Sequence, residues 1–305
     1  MRIAITGASG FVGRAVARTL REAGHEVLAL VRTGTGAPGT AHWDPATGAL
    51  DATALGAVDA VVHLAGENVA GGRWNATRKQ RIVGSRGPAT MRLCHALASL
   101  RKRPHTLIAA SATGIYGDRG DELLDEDSSL GSGFLADVAR AWEAGTEPAR
   151  AAGLRVVNLR IGMVLDPSGG ALQRMLLPFR LGCGGRLGRG TQWISWITRA
   201  DLVRVITTAL AEPVYRGPTL ATAPIAVTNR EFTHALGRAL HRWTVLPTPA
   251  FALRLLFGEM ADALLLSSQR TRPTRLLEHG FEFTHPRLDL ALSSLLARTD
   301  ERPAG

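Results

Sequence analysis

Three glycines spaced Gly7-x-x-Gly10-x-x-Gly13 are the first residues in this chain whose type and spacing imply chemistry. They follow a short apolar run, Ile3-Ala4-Ile5, of the kind a buried parallel strand presents. Beyond them Val12, Val16, Leu20 and Ala23 recur at four- and three-residue steps, a helical period. A residue without Cβ lets backbone approach phosphate oxygens, and a helix start offers unpaired N–H groups with about half a positive charge. Gly7, Ser9, Gly10, Phe11, Val12 and Gly13 therefore read as a pyrophosphate-binding turn, and the ligand as a dinucleotide. The second strand says which one. It ends Leu30-Val31-Arg32-Thr33 with no acidic residue. A carboxylate there takes the ribose hydroxyls of NAD and repels a 2′-phosphate, whereas a guanidinium pairs with that phosphate bidentately. One charged hydrogen bond contributes roughly 1.5–3 kcal/mol, about a ten- to hundredfold preference. NADP(H) is expected over NAD, with Arg32 selecting it.

The elements that must hold this turn alternate. After strand two (Glu26–Arg32) come a short strand at His42-Trp43-Asp44, an apolar run closed by glycine at 59–66, and a long helical stretch over 75–100. Strand five is expected at Thr106–Ala112 and strand six at 155–162, with a helix from Phe134 to Ala152 between them. This alternation predicts an α/β fold, a Rossmann-type doubly wound parallel sheet with the cofactor at the carboxyl ends of its strands. Beyond Gly162 the pattern becomes irregular, then mostly helical from Thr228. The expected division is a nucleotide domain over 1–165, to which 199–223 returns, and a smaller, mostly helical lobe from 166–198 and 224–300.

At 305 residues with 45% apolar content the chain can bury a full core. No apolar run approaches the ~20 residues of a membrane span, and with a strand expected from the first residues no signal peptide is expected. A cytoplasmic location and no membrane partner are expected. The two cysteines and nine histidines form no metal-ligand spacing, so no metal is expected. The net charge of +10 is spread over single arginines, which argues for an anionic cofactor and small-molecule substrate and against nucleic acid. The assembly is expected to be a monomer or homodimer.

Thr6-Gly-x-x-Gly-x-x-Gly13, His63-Leu-Ala-Gly66 and Tyr116-Gly117 resemble extended short-chain dehydrogenases/reductases. Ala65-Gly-Glu-Asn68, Gly71-Gly-Arg-Trp74, Tyr116-Gly-Asp-Arg-Gly120, Trp193-Ile-Ser-Trp-Ile197 and Thr228-Asn-x-Glu-Phe232 resemble, more narrowly, its atypical NADP-binding, epimerase-like branch. In that branch the C-terminal segment is a domain of unknown function. The resemblance implies cofactor contacts at Gly7 to Gly13, Val31, Arg32, Leu64, Ala65, Gly66, Arg86 and Arg160. It also implies hydride exchange with a carbonyl or alcohol carbon, as in an oxidoreductase or epimerase.

In such enzymes a Ser or Thr polarises the carbonyl, and a Tyr, its pKa lowered by a Lys four residues on, moves the proton. Here the only tyrosines are Tyr116 and Tyr215, followed four residues later by Gly120 and Thr219. No Tyr-x-x-x-Lys exists, and the equivalent helix carries Leu135 and Ala139 in its place. The remaining candidates are Ser111, then Thr113, for polarising the carbonyl, with Tyr116 or a water as proton donor. Glu67 and Asp118 are further polar candidates on the substrate side, and the relatives place Trp193 and Trp196 at the substrate cleft. The missing pair equally suits a catalytically weak protein that binds NADP(H) as a sensor or regulator.

Overall fold

The computed structural model describes residues 1–33 and 37–300, with side chains to residue 297. Its centre is a seven-stranded sheet: β1 Arg2–Thr6, β2 Glu26–Val31, β3 Thr40–His42, β4 Ala60–His63, β5 Thr106–Ala112, β6 Arg155–Ile161 and β7 Gly217–Ala221. The spatial order is β7-β6-β5-β4-β1-β2-β3 and every pairing is parallel. The chain runs outward from β1 in one direction, then returns to start β4 on its other side. A crevice therefore opens between the ends of β1 and β4, where Thr6 is in register with His63.

Burial on both faces explains why the strands are near-continuous apolar runs. One face packs Ile3, Ile5, Val62 and Ile108 against helices Phe11–Glu22 and Arg199–Ala211. The other packs Ala4, Val61, Leu107 and Ala109 against Leu93 and Leu97 of helix Gly87–Ala98. The stretch expected as one helix over 75–100 is two, Ala76–Gly84 and Gly87–Ala98, because Pro88 sits in the first turn of the second. The helix expected from Phe134 to Ala152 likewise stops at Ala144 and restarts at Glu147 with Pro148 in its first turn.

A separate apolar core lies beyond the sheet. It gathers Leu165, Leu172, Leu176, Phe179, Trp196, Phe232, Leu236, Leu288 and Leu292. Helices Gly170–Arg180, Asn229–Ala239 and Leu288–Asp300 supply most of it. Buried Asp201 ties the two parts together by accepting the backbone N–H groups of Thr284 and His285, each at 2.9 Å. No helix among the described residues is long and apolar enough to cross a membrane.

Candidate functional site

The turn after β1 is closed by contacts that only glycine permits. Gly7 has φ +70°, and a Cβ there would lie 3.0 Å from the Ala65 amide nitrogen on the neighbouring strand end. A Cβ on Gly13 would lie 2.1 Å from the Gly7 carbonyl oxygen, inside contact distance. Gly10 N–H donates to that same carbonyl at 2.9 Å, locking the turn. Gly10 caps the helix Phe11–Glu22 without a side-chain acceptor. The N–H groups of Phe11, Val12 and Gly13 are left without a partner among the described residues. Phe11 itself turns away, its ring against the Gly169–Gly170 backbone and beneath the Arg199 guanidinium at 5.0 Å.

Under the crevice lies a buried relay that sequence reasoning missed. Thr6 Oγ1 accepts the N–H groups of Leu64 and Ala65, both at 3.2 Å, and lies 2.7 Å from His63 Nδ1. With both lone pairs occupied, the Thr6 hydroxyl must donate to Nδ1, so the ring proton sits on Nε2 and donates to Thr90 Oγ1 at 2.9 Å. Burial drives the His63 pKa down to about 4, keeping the ring neutral. The relay fixes the end of β4 and with it the Leu64–Gly66 backbone.

Val31 is half-buried at the end of β2, and Arg32 beside it is exposed. Arg32 forms no ion pair or hydrogen bond with any described residue. Ser9 and Gly66 are exposed at the crevice rim. Arg86 is not at the rim. It is 8% exposed, packed over Trp142 at 4.8 Å and donating to the Glu67 carbonyl at 2.9 Å. Burial lowers its pKa to about 10, partly offset by the charge on Glu67, and its geometry is that of a prop behind the Gly66–Glu67 backbone.

Three expected roles are corrected by what occupies each side chain. Arg160, expected at the cofactor, is 3% exposed and grips Glu143 through Nε at 2.9 Å and Nη2 at 3.0 Å. Its Nη1 donates to the Tyr116 hydroxyl at 2.8 Å and to the Glu126 carbonyl at 2.9 Å, so four of its five N–H donors are spent within the fold. Tyr116 is fully buried and donates to the Asp125 carbonyl at 2.7 Å. Burial pushes its pKa up to about 12, against the pull of Arg160, the opposite of what a proton donor at neutral pH needs. Ser111 is 3% exposed, and its hydroxyl donates to Glu143 Oε1 at 2.8 Å. Glu143 carries no motif signal of its own in the sequence. The structure makes it the hub joining β5, β6 and the helix Phe134–Ala144.

Thr113, two residues on, differs. It opens the 3-10 turn Thr113–Tyr116 at the carboxyl end of β5, and its hydroxyl has no partner among the described residues. Leu135 packs 3.6 Å from where a Cβ on Gly114 would stand, and Ala139 is buried with Ile115 and Tyr116. The positions of the absent pair are thus apolar.

The turn leads through Gly117 and Asp118 into a cavity of about 880 Å³, lined by Asp118, Asp121, Trp193, Arg189, Arg230 and Arg254 among others. Arg189 and Arg230 went unnoticed because their spacing carries no signal. Asp118 is exposed, and its carboxylate accepts the Ser268 N–H at 3.1 Å. Trp193 is half-buried, its indole donating to Asp121 and one face covered by Arg270 at 4.2 Å. Trp196, expected beside it, is wholly buried and donates to the Ile225 carbonyl at 2.9 Å. That is a correction: the two tryptophans belong to different short strands, and only Trp193 reaches the cavity. Glu67 is half-buried and lies 3.7 Å from Arg78.

Residues 3–219 match the family model described as the NAD dependent epimerase/dehydratase family, and 248–295 match a domain of unknown function. An epimerase family protein of Mycobacterium tuberculosis is 45% identical over 97% of this chain and 98% of its own. The human epimerase family protein SDR39U1 is 36% identical over 97% of this chain and 100% of its own. A crystal structure of its isoform 2 with NADPH superposes with a TM-score of 0.88 at 34% identity, covering 97% and 99% of the two chains. A UDP-glucuronic acid 4-epimerase from Bacillus cereus, in complex with UDP-glucuronic acid and NAD, shares the fold at a TM-score of 0.76 and 16% identity, covering 98% and 100%.

Proposed function

This chain belongs to the NAD dependent epimerase/dehydratase family, and from there we propose an NADP(H)-dependent oxidoreductase or epimerase-like enzyme acting on a carbonyl or alcohol carbon of a small molecule. The cofactor is NADP(H), the coenzyme whose reduced form is bound in the human relative's crystal structure. The residues present fit it. Glycine at 7 and 13 lets the turn pack tightly against Ala65 and itself, and the helix start above it offers the amides of Phe11, Val12 and Gly13, without a partner among the described residues, to a pyrophosphate. Arg32, exposed and without a partner among the described residues, stands at the strand end where a 2′-phosphate is recognised. That unpaired guanidinium is the observation carrying the NADP(H) assignment on this chain. Val31, Leu64, Ala65 and Gly66 would border the cofactor, with Arg86 supporting their backbone from behind.

The cofactor, when bound, would supply hydride exchange with the substrate carbon. The chain's own contribution would be a hydrogen bond from the Thr113 hydroxyl, which polarises the substrate oxygen and stabilises charge developing there. Ser111 would act through Glu143 and Arg160, holding the end of β5 beneath Thr113. With Tyr116 occupied and Leu135 and Ala139 apolar, the proton would come from water in the cavity that Asp118 and Trp193 border. The lobe over 166–198 and 224–300 would supply the remaining substrate contacts, Glu67 among those from the sheet side. In a panel of aldehydes, ketones and nucleotide sugars with NADPH, Thr113→Ala should lower turnover by about 10²–10³. Ser111→Ala should lower it far less, and the reverse order would overturn the assignment.

A second reading is favoured by the apolar pair at 135 and 139: a sensor or regulator that binds NADP(H) with little turnover. Tight NADPH binding with no absorbance loss across the panel would select it.

A further inference from the structure

A face of the second lobe is apolar and cationic, with Asp262 the carboxylate that meets it. Leu177 and Leu181 are 66% and 69% exposed, Trp243, Val245 and Leu246 85%, 74% and 60%, and Phe251, Leu255 and Leu256 72%, 74% and 63%. These residues come from three stretches that lie side by side. Arg242 Nε donates to the Arg180 carbonyl at 2.9 Å, Thr248 N–H donates to the Arg186 carbonyl at 2.8 Å, and helix Ala250–Phe257 follows directly. In that helix only Leu253 is buried. The exposed apolar surface they sum to is on the order of 1,000 Å², against roughly 300–600 Å² for the largest patch on a typical monomer.

Charge decides what covers it. All 26 acidic residues lie outside 168–200 and 232–258, the stretches that carry the patch, while Arg174, Arg180, Arg186, Arg189, Arg199, Arg238, Arg242 and Arg254 lie inside them. The acids flanking these stretches are engaged: Asp166 with Arg199, Asp201 with Arg204, Glu231 with Thr228, and Glu259 with Lys79. Among the described residues only Arg199 and Arg254 of the eight meet a carboxylate, Asp166 and Asp262. A second copy of this chain would oppose like charges across a shared axis, which disfavours self-association here. Exposed Trp, Phe and Leu ringed by arginine is instead the composition of a surface that enters the headgroup layer of a membrane.

We propose that this face docks on an anionic lipid bilayer, with Trp243, Phe251 and the exposed leucines in the interfacial layer and Arg180, Arg238 and Arg242 on lipid phosphates. The expectation of no membrane partner rested on the lack of a spanning segment and does not bear on surface docking. Gly188, Arg189, Ala250 and Arg254 also line the 880 Å³ cavity, so docking brings its wall to the lipid surface.

The test is sedimentation of the purified full-length protein with vesicles of phosphatidylcholine alone and of equimolar phosphatidylcholine and phosphatidylglycerol. Binding is expected only to the second, weakening as salt is raised. Trp243→Ser and Phe251→Ser should each weaken it, and Arg180→Glu or Arg238→Glu by about fivefold or more. These positions are exposed, so melting temperature and NADPH affinity should stay at the parent values, which separates this test from that of the cofactor. Three outcomes would overturn the proposal: equal or no binding to both vesicles, soluble polyglutamate bound as tightly as the anionic vesicles, or a lipid-free dimer that Trp243→Ser abolishes.

Discussion

Replacing Glu143 by Gln probes the wiring beneath the site. In the parent, both carboxylate oxygens receive Arg160, and Oε1 also receives the Ser111 hydroxyl. An amide of the same shape keeps one oxygen. If that oxygen stays on Arg160 Nε and Ser111, its NH₂ group points at Arg160 Nη2, donor against donor. The guanidinium, 3% exposed, keeps its charge with no anion to answer it. Breaking such a buried pair costs about 3–5 kcal/mol, a fall in Tm of roughly 6–12 °C for a chain of this size. Ser111→Ala leaves the pair intact and removes one hydrogen bond, about 1–2 kcal/mol and only a few degrees. Removing both charges together, Glu143→Leu with Arg160→Met, should recover much of the loss. The assay is thermal unfolding by circular dichroism with NADPH titrations alongside. Glu143→Gln melting within about 1 °C of the parent, or Ser111→Ala costing as much, would refute this account of the hub.

Two further outcomes follow from the crevice. His63 has a folded pKa of about 4 against 6.5 for the free side chain, so between those values the unfolded chain holds the extra proton. Stability should rise with pH across that window and be lost as pH falls through it, by about 3 kcal/mol in all; His63→Gln should flatten this limb of a pH series of melts. Gly13→Ala sets a methyl 2.1 Å from the Gly7 carbonyl oxygen, so the turn must open and NADPH affinity should fall by roughly tenfold or more by calorimetry; unchanged affinity would mean the turn does not hold the cofactor.

The opening turn could be read in the sequence because its logic is local: strand, glycines and helix lie within 22 residues. The sheet was readable for a similar reason, since strands buried on both faces leave unbroken apolar runs such as Ala60–His63. The fate of the polar residues on β5 and β6 was not. Alternation gives the face on which Ser111 and Arg160 lie, but their partner Glu143 arrives from a helix 32 and 17 residues away. Tyr116 was misread likewise, since its acceptor, the Asp125 carbonyl, sits in a loop without periodic signal. Trp193 and Trp196 look equivalent in sequence, yet a change of strand between them sends one to the cavity and the other to the core. Helix breaks at Arg86 and Gly145 were concealed by apolar spacing that continues through each, though Pro88 and Pro148 mark where the new helices begin.

Calorimetric titration of parent and Arg32→Ala protein with NADPH and NADH tests the central claim most directly. The parent should bind NADPH about ten- to hundredfold more tightly than NADH, and the variant should lose most of that margin while holding NADH as before. No heat with either coenzyme, or an equal loss of affinity for both on replacing Arg32, would contradict it.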